Sequence, residues 1–221
     1  MHAIVTGGTG MVGGSILRRL LRDERVTKVT SLSRRSTRLT DPKLTEVLDI
    51  DFSNPASLVD TMVGGDILFH CIATYAHTVD KPTYETVTVD YFQNVLTALM
   101  QVNPKASVVH FSASGANLNE TSWYKALNTK GRAEKLLWHS EFPRRISFRP
   151  AGIIPTRAEN VKGLGDKIFK LIFKILPIIG TDSDQLAQAV VDFALSDGAD
   201  GTILKHPDIL RLLRGQKPDA V

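Results

Sequence analysis

The chain has 221 residues, of which 43% are hydrophobic and 23% charged, and its net charge is +4. That balance suits one globular domain with a sizeable core and excludes wholesale disorder. It also offers no basic run interleaved with aromatics, so nucleic acid is not expected as a partner.

Taken in chain order, the elements alternate. His2–Thr6 is a short apolar run and predicts a strand. A glycine-rich turn follows, then Met11–Arg22 with helical spacing at Val12, Ile16, Leu17, Leu20 and Leu21. Val26–Leu32 and Glu46–Ile50 read as the second and third strands, and Pro55–Met62 as a helix. Asp66–Ala73 is continuously apolar, as a strand covered on both faces should be. Val87–Val102 is predicted helical, Ala106–Ser112 extended, Tyr124–Ser140 helical and Ile146–Arg149 extended. Such alternation implies parallel strands joined by right-handed crossovers: a doubly wound α/β sheet, the Rossmann fold, with its ligand crevice at the carboxyl ends of the strands. Beyond Pro150 the expectation is helices at Gly163–Leu176, Asp184–Ser196 and Pro207–Arg214, with a short strand at Thr202–Leu204. Residues 150–221 are read as a small substrate-side lobe integrated into a single domain spanning 1–221.

The single cysteine, Cys71, cannot form an internal disulfide. The first strand begins at His2, leaving no room for a cleaved leader, and no apolar run reaches bilayer length. A soluble cytoplasmic protein is therefore expected.

Gly8, Gly10 and Gly13 satisfy G-x-G-x-x-G, and Gly7, Gly10 and Gly13 fit G-x-x-G-x-x-G. Between a strand and a helix, such glycines let the backbone approach a diphosphate, which the free amides and dipole of the helix start favour. The plainer reading is a structural turn without a ligand. At the end of the second strand an NAD site would carry an acid for the ribose hydroxyls. Ser33-Arg34-Arg35-Ser36 stands there instead. Arg34 and Arg35 suit a 2′-phosphate, so NADP is expected before NAD; the alternative is a solvated basic loop.

The segments TGGTGMVGG (6–14), SRRS (33–36), DIDF (49–52), FHCIAT (69–74), HFSASGAN (110–117), NTKGRAE (128–134) and FRPAGIIP (148–155) together resemble the short-chain dehydrogenase/reductase superfamily. They are most similar to its atypical, extended-like branch and, within it, to the Tat-interacting-protein-like NAD(P)-binding oxidoreductases. The resemblance implies that Gly7, Gly10, Met11, Val12 and Gly13 surround the diphosphate and that Asp51 and Phe52 lie beside the adenine. It implies that Cys71, Ile72 and Ala73 run along the cofactor, that Lys130 holds the nicotinamide ribose, and that Pro150, Gly152 and Ile153 border the nicotinamide. Ser112 or Ser114 would meet a substrate carbonyl.

The family's proton-transferring tyrosine lies four residues before its lysine. Here that position is Ala126, and Tyr124 lies six before Lys130. Four residues turn a helix by about 400°, which keeps two side chains on one face; six turn it by about 600°, which parts them. Three arrangements stay open: an irregular helix start that returns the Tyr124 phenol, a Tyr124–Asn128 pair, or hydrogen bonding by Ser112 or Ser114 alone. The catalytic candidates are thus Tyr124, Lys130, Ser112 and Ser114. Tyr124 packing beside Trp123 is the structural alternative, and a solvated side chain is the alternative for Lys130.

His70 and His110 fall in predicted core strands and are expected to be buried and hydrogen-bonded. His77 follows the fourth strand, as a loop residue or a substitute acid. No histidine or cysteine spacing suits a metal. The segment 167–176 has a lysine face and an apolar face, fitting a pocket lid, a subunit contact in a homodimer, or a peripheral membrane contact. Two functions follow. One is an NADP-dependent oxidoreductase acting on a carbonyl or alcohol of a small, fairly apolar molecule. The other is a non-redox member: an isomerase, a cyclase or a nucleotide-sensing regulator.

Overall fold

A computed structural model describes residues 1–156, 180–196 and 201–219. At its centre lies β1 (His2–Thr6), buried at every position. Beside it run β2 (Lys28–Leu32) and then β3 (Leu44–Val47) on one side. On the other side come β4 (Ile67–His70), β5 (Ser107–Phe111) and β6 (Arg144–Arg149). A further pair, β7 (Gly152–Ile154) and β8 (Gly180–Asp182), forms a small separate parallel sheet, and β9 (Thr202–Lys205) adds to β6 as the seventh strand of the main one. All pairings are parallel. The order β3-β2-β1-β4-β5-β6-β9 reverses direction between β1 and β4, which opens a crevice at their carboxyl ends.

Helices cover both faces. On one, α1 (Met11–Arg22) buries Ile16, Leu17, Leu20 and Leu21 against the sheet and against α6 (Ser183–Ala194). Arg19 reaches Asp192 of α6 at 2.7 Å, and α7 (His206–Leu213) adds Ile209 to the same core. The other face carries α2 (Ala56–Val59), α4 (Tyr91–Val102) and α5 (Lys125–His139), whose Leu58, Phe92, Val95, Leu99 and Leu137 meet Ile4, Leu68 and Val108. Each such large apolar side chain contributes roughly 1.5–3 kcal/mol on burial.

Several boundaries differ from expectation for identifiable reasons. The third strand leaves the sheet at Val47, well before Ile50, because Asp49 turns the chain with φ of +54°. Aspartate tolerates that left-handed conformation better than most residues. The helix expected at Val87 starts earlier, with α3 (Lys81–Glu85), where the Asp80 side chain accepts from the Thr83 amide and Pro82 occupies the first turn. A five-residue π segment, Thr86–Asp90, then joins α3 to α4. Neither β7 nor β8 was expected, and the helix expected at 163–176, with its amphipathic stretch 167–176, lies outside the described residues. No helix among those described is long and apolar enough to cross a membrane.

Candidate functional site

The glycine turn is held tight by backbone contacts that admit no side chain. Gly7 has φ of +73°, and a Cβ there would lie 2.8 Å from the Cys71 carbonyl oxygen. At Gly13 it would lie 2.2 Å from the Gly7 carbonyl oxygen. Gly10 caps α1, and its amide donates to the Gly7 carbonyl at 2.9 Å. Gly8 faces the Ser31 hydroxyl, which a Cβ would approach to 2.6 Å. The turn therefore brings β1, β4 and α1 together, while α1 starts without a side-chain cap or a first-turn acid. An uncapped helix start behind close-packed glycines fits a diphosphate. Met11 and Val12 form the first turn of that helix.

Beside this turn the loop after β2 folds back on Glu46 of β3. That carboxylate accepts from the Ser36 hydroxyl at 2.8 Å and from the amide and hydroxyl of Thr37 at 2.7 Å each. Burial alone would raise its pKa, but the hydrogen bonds from Thr37 and Ser36 win and lower it. Ser33 donates to the Arg35 carbonyl at 2.8 Å and closes the turn. Arg34 and Arg35 are exposed and engage no carboxylate among the described residues.

The two residues assigned to the adenine differ from one another. Asp51 is exposed and accepts from the Ser53 amide at 2.9 Å and hydroxyl at 2.6 Å, bonds that lower its pKa. The Phe52 ring is buried against Tyr91, with centroids 6.0 Å apart, and its carbonyl accepts from Asn94 Nδ2 at 3.0 Å. At the end of β4, the Cys71 amide donates to the Thr6 carbonyl at 3.2 Å. Burial pushes the Cys71 thiol up, which favours its neutral form. Ile72 is half-buried and Ala73 exposed as the chain leaves the sheet.

Ser112 is buried, and its hydroxyl has no hydrogen-bond partner among the described residues. Its amide donates to the Phe148 carbonyl at 2.9 Å. Ser114 is exposed, and its amide donates to the Pro150 carbonyl at 2.9 Å. These bonds carry the β5–β6 pairing past the strand ends and fix Pro150 beside the half-buried Gly152 and Ile153 of β7.

Lys130 projects from α5 into the interior and donates to the Phe111 carbonyl at 3.4 Å. Burial brings its pKa down to about 8, against the pull of Glu134, which raises it. Glu134 is fully buried one turn later. Its carboxylate accepts from Arg149 Nε at 2.9 Å and from Arg149 Nη2, and from the Ser147 hydroxyl at 2.8 Å. The sequence reading missed this pair, although Glu134 and Arg149 sit in two of the segments that carry the resemblance. Ala126 occupies the Lys130 face one turn earlier. Tyr124 precedes α5 as its N-cap, in extended conformation; it is 47% exposed, and its ring lies 6.0 Å from that of Trp123.

His70 and His110 are buried as expected, but only in part hydrogen-bonded. His70 Nδ1 lies 3.0 Å from the Thr6 hydroxyl. Its Nε2 and both His110 nitrogens have no partner among the described residues. Both rings pack on Phe92, His70 tilted at 4.5 Å and His110 stacked at 4.4 Å. Burial takes His70 down to about 3 and His110 well below the ordinary histidine value. His77 is exposed beside Tyr75, at 5.5 Å.

Residues 3–121 match the NAD dependent epimerase/dehydratase family. Protein FMP52, mitochondrial, of Candida glabrata is 31% identical over 171 residues, covering 76% of this chain and 70% of that protein. Its Kluyveromyces lactis namesake is 25% identical over 227 residues, covering 96% and 98%. A short chain dehydrogenase from Burkholderia cenocepacia in complex with NADP shares the fold at a TM-score of 0.67 and 18% identity, over 92% of this chain and 86% of that one. So does a UDP-glucuronic acid 4-epimerase from Bacillus cereus in complex with NAD, at 0.70 and 16%, over 93% and 78%. The relatives' mitochondrial designation overturns the cytoplasmic expectation. That expectation rested on the chain start and on a lone cysteine, and one thiol cannot form an internal disulfide in any compartment. The doubly wound sheet, the glycine turn and these matches agree: the chain belongs to the NAD-dependent epimerase/dehydratase family of the short-chain dehydrogenase/reductase superfamily.

Proposed function

We propose that this protein is a mitochondrial NADP-dependent oxidoreductase acting on a carbonyl or alcohol of a small molecule. The observation that carries the cofactor choice is the pair of exposed guanidinium groups, Arg34 and Arg35, on a loop that Glu46 folds back beside the glycine turn. Glu46 is the nearby acid, and its oxygens are already engaged by Ser36 and Thr37, away from any ribose role. A bound nicotinamide supplies hydride chemistry; the protein supplies orientation and charge. In this reading Gly7, Gly10, Met11, Val12 and Gly13 receive the diphosphate, and Asp51 and the Phe52 backbone flank the adenine. Cys71, Ile72 and Ala73 line the path between them, and Lys130 with Pro150, Gly152 and Ile153 takes the nicotinamide end. Ser112, Ser114 and Tyr124 are the hydroxyls offered to substrate, and residues 150–221 form its side of the single domain.

The test is a titration with NADPH and NADH of the wild type and of the Arg34→Ala, Arg35→Ala double variant. Two charge-assisted bonds at about 1.5–3 kcal/mol each predict a loss for NADPH on the order of 100-fold or more. NADH should change little, and equal weakening of both would refute the phosphate assignment. A non-redox reading, as an isomerase, cyclase or nucleotide sensor, is favoured by one observation: Ala126 leaves the Lys130 face without a phenol. NADPH binding without turnover over a broad carbonyl panel would select it.

A further inference from the structure

Between α3 and the first turn of α5 lies a cleft of about 330 Å³ that the cofactor assignments leave unused. Its walls are aromatic: Tyr84 from α3, and Trp123 and Tyr124 just before α5. Ala126 and Thr129 also line it. Among the described residues its charge comes from Lys81 and Lys125, and no carboxylate lines it. Lys125 makes no ion pair among the described residues. Lys81 has only a long contact to Glu85 at 3.8 Å, whose carboxylate Arg132 holds at 2.7 Å. The positive field of the cleft is therefore largely uncompensated. It is reinforced by the start of α5, which has no side-chain cap.

Trp123 is 89% exposed, the most exposed large apolar side chain among those described. It stands tilted at 43° to Tyr124, and both rings stay exposed. Exposed aromatic surface rimmed by charge marks a binding surface more often than an accident of folding. The volume lies at the small end of ligand pockets, suiting a molecule of one or two rings.

We propose that this cleft binds a planar aromatic carboxylate, its ring system against Trp123, Tyr124 and Tyr84 and its carboxylate between Lys81 and Lys125. The inference rests on the oxidoreductase reading for its biological meaning, since Ala126 links the cleft to the Lys130 face, and it names the substrate class of that site. Tyr84, nearly buried at 6% exposure, has its phenol pushed up by burial. It stays protonated and can donate to the ligand.

Calorimetric titration of the full chain with 2-naphthoate and with neutral 2-naphthamide tests this, in the presence and absence of NADPH. Naphthoate is expected to bind at least about tenfold tighter than the amide, a difference typical of one charge-assisted contact. Trp123→Ala, and Lys81→Ala with Lys125→Ala, should each weaken naphthoate by tenfold or more while NADPH affinity stays unchanged. These three side chains are solvent-facing, so the variants are expected to fold, and NADPH binding verifies it. Equal binding of acid and amide, naphthoate binding indifferent to Trp123→Ala, or no naphthoate heat at millimolar concentration would each overturn the proposal. Naphthoate bound as described by a chain that takes no NADPH would uphold the cleft and refute the nucleotide reading alone.

Discussion

Lys130 donates its ammonium to the Phe111 carbonyl at the end of β5, and Ala126 stands on the same α5 face one turn before it. In the proposed reading Lys130 is the lysine of a proton-transferring pair, and the position one turn before it holds a methyl group. General acid catalysis is worth about 10²–10⁴-fold. Ala126→Tyr is accordingly expected to raise NADPH-dependent reduction of a small diketone by on the order of 100-fold, with nucleotide affinity unchanged. The new ring fills part of the cleft, so naphthoate binding should fall at the same time. An unaltered rate would mean that proton delivery does not limit turnover.

The sheet and the glycine turn were readable because both are local: period, length and glycine spacing each report on a few neighbouring residues. The Ala126 departure was legible for the same reason, since one helical turn converts sequence distance into geometry. What escaped was held by contacts distant in sequence. Glu134 meets Arg149 across a helix and a strand, and Tyr84 shares a cleft with Trp123 some forty residues away. The early start of α3 was written in Asp80 and Pro82, a cap and a first-turn proline that the apolar periodicity beginning at Val87 overshadowed.

Glycines separate function from folding. At Gly13 an added Cβ would strike the Gly7 carbonyl at 2.2 Å, and at Gly131 the Asn117 carbonyl at 1.9 Å. Neither obstacle is a movable side chain. Gly13→Ala must push the glycine turn away from α1 and is expected to abolish NADPH binding. Gly131→Ala instead displaces the loop before α5, and should cost about 1–3 kcal/mol of stability, as overpacking does. Its residual NADPH affinity should exceed that of Gly13→Ala. Thermal unfolding with and without NADPH distinguishes the two.

Glu134→Gln keeps an acceptor for Arg149 and Ser147 but removes the charge. Arg149, only 13% exposed, then lacks its counterion, and breaking such a buried pair costs about 3–5 kcal/mol, the amide offsetting part of it. Glu134 also raises the Lys130 pKa, so without its charge that group should titrate below its value of about 8. If Lys130 assists nucleotide binding as an ammonium, the pH midpoint of NADPH affinity shifts toward acid. Denaturant midpoints and pH-dependent titrations measure the two effects separately, and a variant as stable as wild type would show that the pair does not hold β6 to α5.

Burial fixes the direction of the acid response. His70 is held at about 3 and His110 is also lowered, both by desolvation first and by the nearby Lys130 charge second. Unfolded histidine takes up its proton near pH 6.5. Between that value and the folded values the unfolded chain binds more protons, so stability falls as pH falls through this window and is fully present above it. Each histidine contributes a slope of about 1.4 kcal/mol per pH unit. His110→Phe should keep the stack on Phe92, now at 4.4 Å, and delete one proton site together with two unpartnered nitrogens. The expected outcome in urea unfolding is a stability that declines less steeply between pH 6.5 and pH 5 than that of the wild type. Parallel declines would mean that His110 is charged in the folded protein, and that the buried imidazole finds a proton partner inside the fold.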